Sequence, residues 1–288
     1  MPKPIAASEL VLNNDGSVYH LNLHPENIGD TIITVGDPDR VGEVSKHFDS
    51  IDFKTAKREF VTHSGYLGGK RISVISTGIG TDNIDIVFNE LDALVNIDLK
   101  RREVKDELTS LNIIRIGTSG GLQPELGVDS VVLTEEAIGL DGLMPFYHRD
   151  VQHLSPLLVS LTSHLGLDNL CMPYSYNGSP SLLNLFGNEF VKGITVTCTG
   201  FYGPQGRILR LQPAIEHFTD KLSSFRHNGR KATNFEMETS GIYGMGALLG
   251  HHCLSASLIV ANRATGEFSA HHEVALEKLI KQVLEKLA

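Results

Sequence analysis

Short segments rich in isoleucine, valine and leucine recur along this chain, with helix-patterned stretches between them. They are Thr31-Ile32-Ile33-Thr34-Val35, Arg71-Ile72-Ser73-Val74-Ile75-Ser76, Leu111-Asn112-Ile113-Ile114-Arg115-Ile116, Ser130-Val131-Val132-Leu133-Thr134, Gly193-Ile194-Thr195-Val196-Thr197-Cys198 and Leu254 to Ala261. Strands that alternate with helices in this way make an α/β architecture with a largely parallel or mixed sheet. The intervening stretches supply those helices. One opens at Asp37-Pro38-Asp39 and runs to Phe48, with proline in the first turn and acids near the positive end. Another runs from Thr81 to Ile97, with Ile84, Val87, Phe88 and Leu91 at helical spacing. Further helices are expected over 155–166, 180–190, 213–224, 237–249 and Glu273 to Leu287, and further strands over 51–62 and Thr233 to Glu236. The first thirty residues are polar and irregular, broken at Pro4, Asn13-Asn14-Asp15-Gly16 and Pro25. No repeat, low-complexity tract or long linker interrupts the pattern. The expectation is one domain over 1–288, an α/β fold with a central mixed or largely parallel twisted sheet flanked by helices.

Arg115 stands out because it lies between isoleucines. A buried guanidinium loses its hydration unless an anion meets it. Its fork of donors suits phosphate or carboxylate, and Gly117-Thr118-Ser119-Gly120-Gly121 reads as a small-residue turn with N–H groups and hydroxyls at the same place. That makes a candidate anion pocket at the carboxyl end of a strand, where open α/β sheets bind ligands. The alternative is an arginine at a strand end that reaches solvent or pairs with one core carboxylate.

Composition removes several classes. The formal net charge is -9 and no basic stripe stands against it, so a nucleic-acid partner is not expected. The densest basic run, Lys100 to Lys105, is interleaved with Asp98, Glu103, Asp106 and Glu107 and reads as a solvated helix extension. No apolar run approaches the roughly 18 residues that span a bilayer, so no membrane partner is expected. Cys171, Cys198 and Cys253 form an odd set without a Cys-x-x-Cys pair, and no secretory segment is evident. Free thiols and a cytoplasmic location are the expectation. No Cys/His spacing supports a zinc site, so no metal is expected.

Four clusters at strand ends carry groups suited to a phosphate, a sugar and a flat polar ring. Gly36-Asp37-Pro38-Asp39-Arg40 combines close backbone approach with an arginine near a positive helix end, although a cap with a surface arginine has the same pattern. Arg115 with Gly117-Thr118 is the second, and the two arginines can neutralise one dianion from two sides. In Phe201-Tyr202-Gly203-Pro204-Gln205-Gly206-Arg207, the Gln205 amide can read a ring with adjacent N–H and C=O groups. Arg207 can stabilise charge on a departing base, and Phe201 offers a stacking face. An ordinary Gly-Pro turn is the alternative. In Phe235-Glu236-Met237-Glu238, one carboxylate can accept from two neighbouring hydroxyls while the other braces the structure, or both simply favour a helix start. Gly78-Ile79-Gly80 lacks the third glycine of a dinucleotide fingerprint, and there is no Walker loop or Gly-x-Ser-x-Gly elbow.

Together with Arg58-Glu59-Phe60, Ser76-Thr77-Gly78-Ile79-Gly80 and Asn262-Arg263, these clusters resemble the nucleoside phosphorylase superfamily, and most closely its uridine-cleaving branch. The resemblance covers nearly the whole chain. It implies that Gly36, Arg40, Arg115 and Thr118 hold inorganic phosphate and that Arg58 reaches the phosphate of a neighbouring subunit. By the same resemblance His20, in the 1–30 segment, contacts the neighbour's ribose, Met237 packs on the sugar and Glu238 binds its 2′ and 3′ hydroxyls. Gln205 and Arg207 read the uracil edge, Phe201 stacks on it, and Val260 and Ala261 line the base pocket. Purine-cleaving relatives are similar to one another in placing an aspartate there, which this chain lacks. The implied catalytic residues are Arg40, Arg115 and Arg207. The implied reaction is phosphorolysis of uridine to uracil and ribose 1-phosphate in pyrimidine salvage, without an organic cofactor, in a homo-oligomer of at least two subunits. Alternatives are a purine nucleoside phosphorylase, a nucleosidase using water, and a non-catalytic nucleoside-binding protein of the same fold.

Overall fold

The computed structural model describes residues 4–148, 155–167 and 170–288. In chain order its elements are β1 (Thr31–Val35), α1 (Pro38–Ser45), β2 (Ser50–Lys57), β3 (Phe60–Leu67), β4 (Lys70–Ser76), α2 (Thr81–Asn96), β5 (Ile97–Asp98) and β6 (Glu103–Val104). β7 (Asn112–Gly121), β8 (Val131–Gly139), α3 (Pro156–Leu165), β9 (Tyr174–Asn177), α4 (Pro180–Phe186), β10 (Val191–Thr197) and α5 (Phe218–Ser224) follow. β11 (Ala232–Glu236), α6 (Thr239–Leu249), β12 (His252–Asn262), β13 (Glu267–Phe268) and α7 (His272–Leu287) complete the order.

One mixed sheet runs β13-β12-β8-β10-β11-β7-β1-β4-β3-β2, and β12 also pairs with β7. That extra pairing closes β7, β12, β8, β10 and β11 into a ring, from which β1, β4, β3 and β2 extend as an open wing. Strand β7 makes the closure possible because it has three partners. Its first half pairs with β1 (Thr31↔Asn112 to Thr34↔Arg115), and its end pairs with β11 (Asn234↔Gly121, Phe235↔Gly120). The other edge of β7 follows β12 throughout. Between the point where β1 leaves and the point where β11 arrives, residues 116–119 of β7 have an uncovered edge. A cleft opens there, as expected where a sheet changes its neighbour order.

Strand alternation sorts the core. Ile32 and Ile113 face the layer of α2 and α6, packing with Ile84, Val87, Phe88, Leu91 and Ile242. Ile33, Val35, Ile114 and Ile116 face α1 and α7, packing with Val41, Val44, Leu279, Ile280 and Val283. Arg115 has the parity of Ile113, so its side chain leaves the sheet on the face where α6 begins.

The α/β class with a mixed sheet is as expected, and several boundaries differ. The 117–121 segment is not a turn but the continuation of β7, where small residues let neighbours come close: a Cβ on Gly120 would lie 2.9 Å from the Phe235 ring. The strand expected over 51–62 is two antiparallel strands joined at Arg58-Glu59, with Arg58 at φ 56. The 98–109 stretch does not prolong α2. It forms the β5–β6 hairpin, in which Arg102, at φ 59, donates to the carbonyls of Ile5, Ala6 and Leu10. Helix α5 begins at Phe218 rather than near 213, and α4 stops at Phe186 because Gly187 follows at φ 71. Cys171, Cys198 and Cys253 are free thiols. No helix among the described residues is long and apolar enough to cross a membrane.

Candidate active site

A cavity of about 460 Å³ occupies the cleft. Residues singled out above or their neighbours in those motifs line it: Gly36, Asp37, Pro38, Arg40, Arg115, Gly117, Thr118, Phe201, Gln205, Arg207, Met237 and Glu238, with Val260 and Ala261 from β12. His20 and Arg58 do not line it.

Asp37 caps α1 by accepting from the Asp39 N–H, which sets Arg40 in the first helical turn. A cation there opposes the helix dipole. Its Nε is buried without a hydrogen-bond partner among the described residues. Burial holds the Arg40 pKa below the usual arginine value; Asp37 opposes that shift and the Arg115 charge adds to it. Two guanidinium groups close enough to repel, one with an unused buried donor, are suited to meeting an anion.

Arg115 already has partners. Its Nη2 donates to Glu238 Oε2 at 2.6 Å and lies 3.2 Å from Glu236 Oε2, and Nη1 donates to Ser257 Oγ at 3.1 Å. Burial alone would lower its pKa, but the two carboxylates outweigh that and raise it. The guanidinium folds back over Gly117, where a Cβ would sit 2.0 Å from Nη1. Only glycine leaves that space. The sequence alternative of one core carboxylate is thus half met: Arg115 is ion-paired, to two acids, and still borders the cavity.

The two acids divide their work. Glu236 accepts from the N–H groups of Glu238 and Thr239 and from Thr197 Oγ1, so it anchors the start of α6. Its pKa is raised by burial, with Glu238 adding and Arg115 opposing. Glu238 takes Arg115 on one oxygen and the Gly80 N–H, at 3.0 Å, on the other. Gly80 adopts φ 98 at the start of α2, a conformation that favours glycine. The Gly78-Ile79-Gly80 junction, rejected as a dinucleotide fingerprint, therefore positions Glu238.

Gln205 is buried, and Arg207 Nη1 donates to its Oε1 at 2.5 Å and to the Phe201 carbonyl at 2.6 Å. The Arg207 guanidinium lies 3.6 Å from the Phe201 ring centroid and covers one face of that ring. Burial and the charge of Arg263 push the Arg207 pKa down to about 10, which leaves it cationic at neutral pH. A second, more apolar cavity of about 690 Å³ lies on the other side of this loop and shares Arg207.

His20 and Arg58 sit together elsewhere. The Tyr19 ring bridges them, 5.9 Å from Arg58 Cζ and 4.9 Å from the His20 ring. Sequence reasoning missed Ile79, Phe268 and Ser257. Ile79 and Phe268 line the cavity although 68% exposed each, and a solvent-facing aliphatic between two glycines was a usable signal for the first. Phe268 belongs to a two-residue strand that carries no periodicity.

Residues 30–288 match the model of the phosphorylase superfamily. The chain is similar over its whole length to a uridine phosphorylase of Thermococcus kodakarensis, with 27% identity covering 93% of that protein. It is 29% identical to a uridine phosphorylase of Haemophilus influenzae over 93% of both chains. A solved structure of a Trypanosoma brucei nucleoside phosphorylase, described as showing uridine phosphorylase activity, superposes with a TM-score of 0.88 and 29% identity over 97% of this chain and 99% of the other. A motif order read from the sequence, a cleft at the change of neighbour order and a family match over nine-tenths of the chain agree, and the chain belongs to the phosphorylase superfamily.

Proposed function

We propose that this protein is a pentosyltransferase that cleaves uridine with inorganic phosphate, giving uracil and ribose 1-phosphate. The observation that carries the reading is the set of groups that line one cavity. Arg40, with its unpartnered Nε, and Arg115 share it with Met237 and Glu238, with the Gln205–Arg207 pair and with Val260 and Ala261, where no acid stands. The chain's similarity to uridine phosphorylases supports the same choice of base.

Phosphate sits between Arg40 and Arg115, near the Gly36 backbone and the Thr118 hydroxyl. Arg115 links it to Glu238, whose remaining lone pairs accept from the ribose hydroxyls while Met237 packs on the sugar. Phosphate oxygen attacks C1′ as the glycosidic bond loosens. The developing oxocarbenium character is stabilised by the adjacent dianion, and the negative charge on uracil by Gln205 and Arg207. Phe201 stacks on the ring. His20 and Arg58 serve the site of a neighbouring copy, a reading supported by their shared surface patch outside their own cavity. The functional unit is then at least a dimer, and inorganic phosphate is a co-substrate, with no organic cofactor.

The test follows ultraviolet absorbance as uridine is mixed with the protein. Uracil release that depends on phosphate is the expected result. Release in phosphate-free buffer, cleavage of inosine in preference to uridine, or tight uridine binding without turnover overturns the proposal.

A further inference from the structure

The N-terminal segment is tied to α2 by one side chain. Glu90 Oε1 lies 2.6 Å from His20 Nδ1, and the same carboxylate accepts from the backbone N–H groups of His20 at 2.9 and 3.0 Å and of Leu21 at 2.8 Å. Glu90 is itself mostly buried, with 14% of its side chain exposed, while the His20 side chain is 27% exposed. An ionised carboxylate only accepts, so the proton shared with it belongs to His20 Nδ1. That fixes the tautomer of a neutral ring: Nε2 keeps its lone pair. The ring is fixed in orientation as well, packed edge-on against Tyr19 at 4.9 Å and Phe60 at 6.4 Å. Lys57 steadies the same stretch, donating to the Tyr19 carbonyl at 2.5 Å and lying 4.5 Å over the Tyr19 ring.

We propose that Glu90 is a positioning residue for the reaction: it holds His20 in the tautomer and orientation that present Nε2 as a hydrogen-bond acceptor for a ribose hydroxyl in the neighbouring subunit's site. This rests on the reading above that His20 reaches the neighbour's sugar. Glu90 touches neither substrate nor reacting atoms and acts through the ring. Backbone anchoring needs only an acceptor oxygen at this position; excluding the other tautomer needs a group with no donor, which a carboxylate is and an amide is not. The glutamine amide keeps an acceptor oxygen for the backbone but can also present N–H to Nδ1, which releases the opposite tautomer.

The experiment measures kcat/KM for uridine and for 2′-, 3′- and 5′-deoxyuridine in wild type, Glu90→Gln, His20→Ala and the double variant. Wild type is expected to lose activity on one analogue, the one lacking the hydroxyl that His20 meets, and His20→Ala is expected to lose that discrimination. Glu90→Gln is expected to show the same collapse of discrimination with a drop of about tenfold on uridine, the worth of one hydrogen bond. It should leave KM for phosphate unchanged, and the double variant should be no worse than His20→Ala. Additive losses, or a Glu90→Gln variant that keeps the wild-type hydroxyl preference, overturn the proposal, as does a His20→Ala variant with wild-type kinetics. Mixing His20→Ala subunits with Arg207→Ala subunits tests the underlying reading separately. Recovered activity means the site is shared. No recovery, with the non-additive coupling intact, overturns the sharing between subunits and retains the action of Glu90 through His20.

Discussion

Replacing Gly117 by alanine probes the anion site without removing any of its side chains. The added methyl would lie 2.0 Å from Arg115 Nη1, 2.3 Å from Cζ and 2.6 Å from Nη2. Heavy atoms settle at about 3.5 Å or more, so the guanidinium must retreat by about 1.5 Å. Its contacts at 2.6 Å to Glu238 and 3.1 Å to Ser257 cannot both survive that shift. Breaking a buried ion pair leaves a carboxylate uncompensated and costs about 3–5 kcal/mol of stability. A catalytic group displaced by about 1 Å costs on the order of a hundredfold in rate. Gly117→Ala is therefore expected to fold less stably and to lose about a hundredfold in kcat/KM for phosphate, read by steady-state kinetics with denaturant melts alongside. Gly127→Ala is the control, since its nearest neighbour atom would be 4.0 Å away. Wild-type kinetics and stability in Gly117→Ala would refute the claim that close packing on this glycine sets the Arg115 fork.

Arg207→Ala should lower kcat/KM for uridine by about a hundredfold, as for a lost oxyanion donor; an effect confined to KM would mean that Arg207 only helps binding. His63 offers a pH test. Burial, with Lys54 adding, holds its pKa below the usual histidine value, and Nδ1 lies 2.7 Å from Ser45 Oγ. The native state then binds this proton less tightly than the unfolded chain, so the contribution is present above the usual value of about 6.5 and is lost as pH falls from there through the lower folded-state value. His63→Gln should flatten the fall in chemical stability between neutral and mildly acid pH, and an unchanged slope would count against the assignment.

The elements that were legible in the sequence are those whose pattern is local. The apolar strands and the stripe of Ile84, Val87, Phe88 and Leu91 on α2 lie where periodicity puts them. Three of the four cavity motifs were legible because they follow a strand end, where glycine, arginine and acid residues have few structural uses in common, whereas the Arg115 motif stands within β7 and was legible from the charge alone. What was hidden depends on distant partners. Glu238 lies 123 residues from Arg115, so their pairing leaves no local trace. The Arg58-Glu59 hairpin has neither glycine nor proline, and the flanking residues alternate as one strand would. Gly117 to Gly121 read as a turn because small residues usually punctuate, whereas here they make room for Arg115 and Phe235 across paired strands.

The closed ring of strands also dictates when the pocket can exist during synthesis. Strand β7 pairs along its whole length with β12, whose residues emerge from the ribosome about 140 positions later. Until residue 257 is available, Arg115 lacks Ser257, and until Glu236 and Glu238 are made it lacks both its acids. A nascent chain that ends just past β7 therefore carries an unneutralised guanidinium on a strand paired only with β1, its β12 edge still open, a state that invites aggregation and chaperone attention. Productive assembly waits on the carboxyl-terminal third, and truncations short of β12 should yield no partial activity.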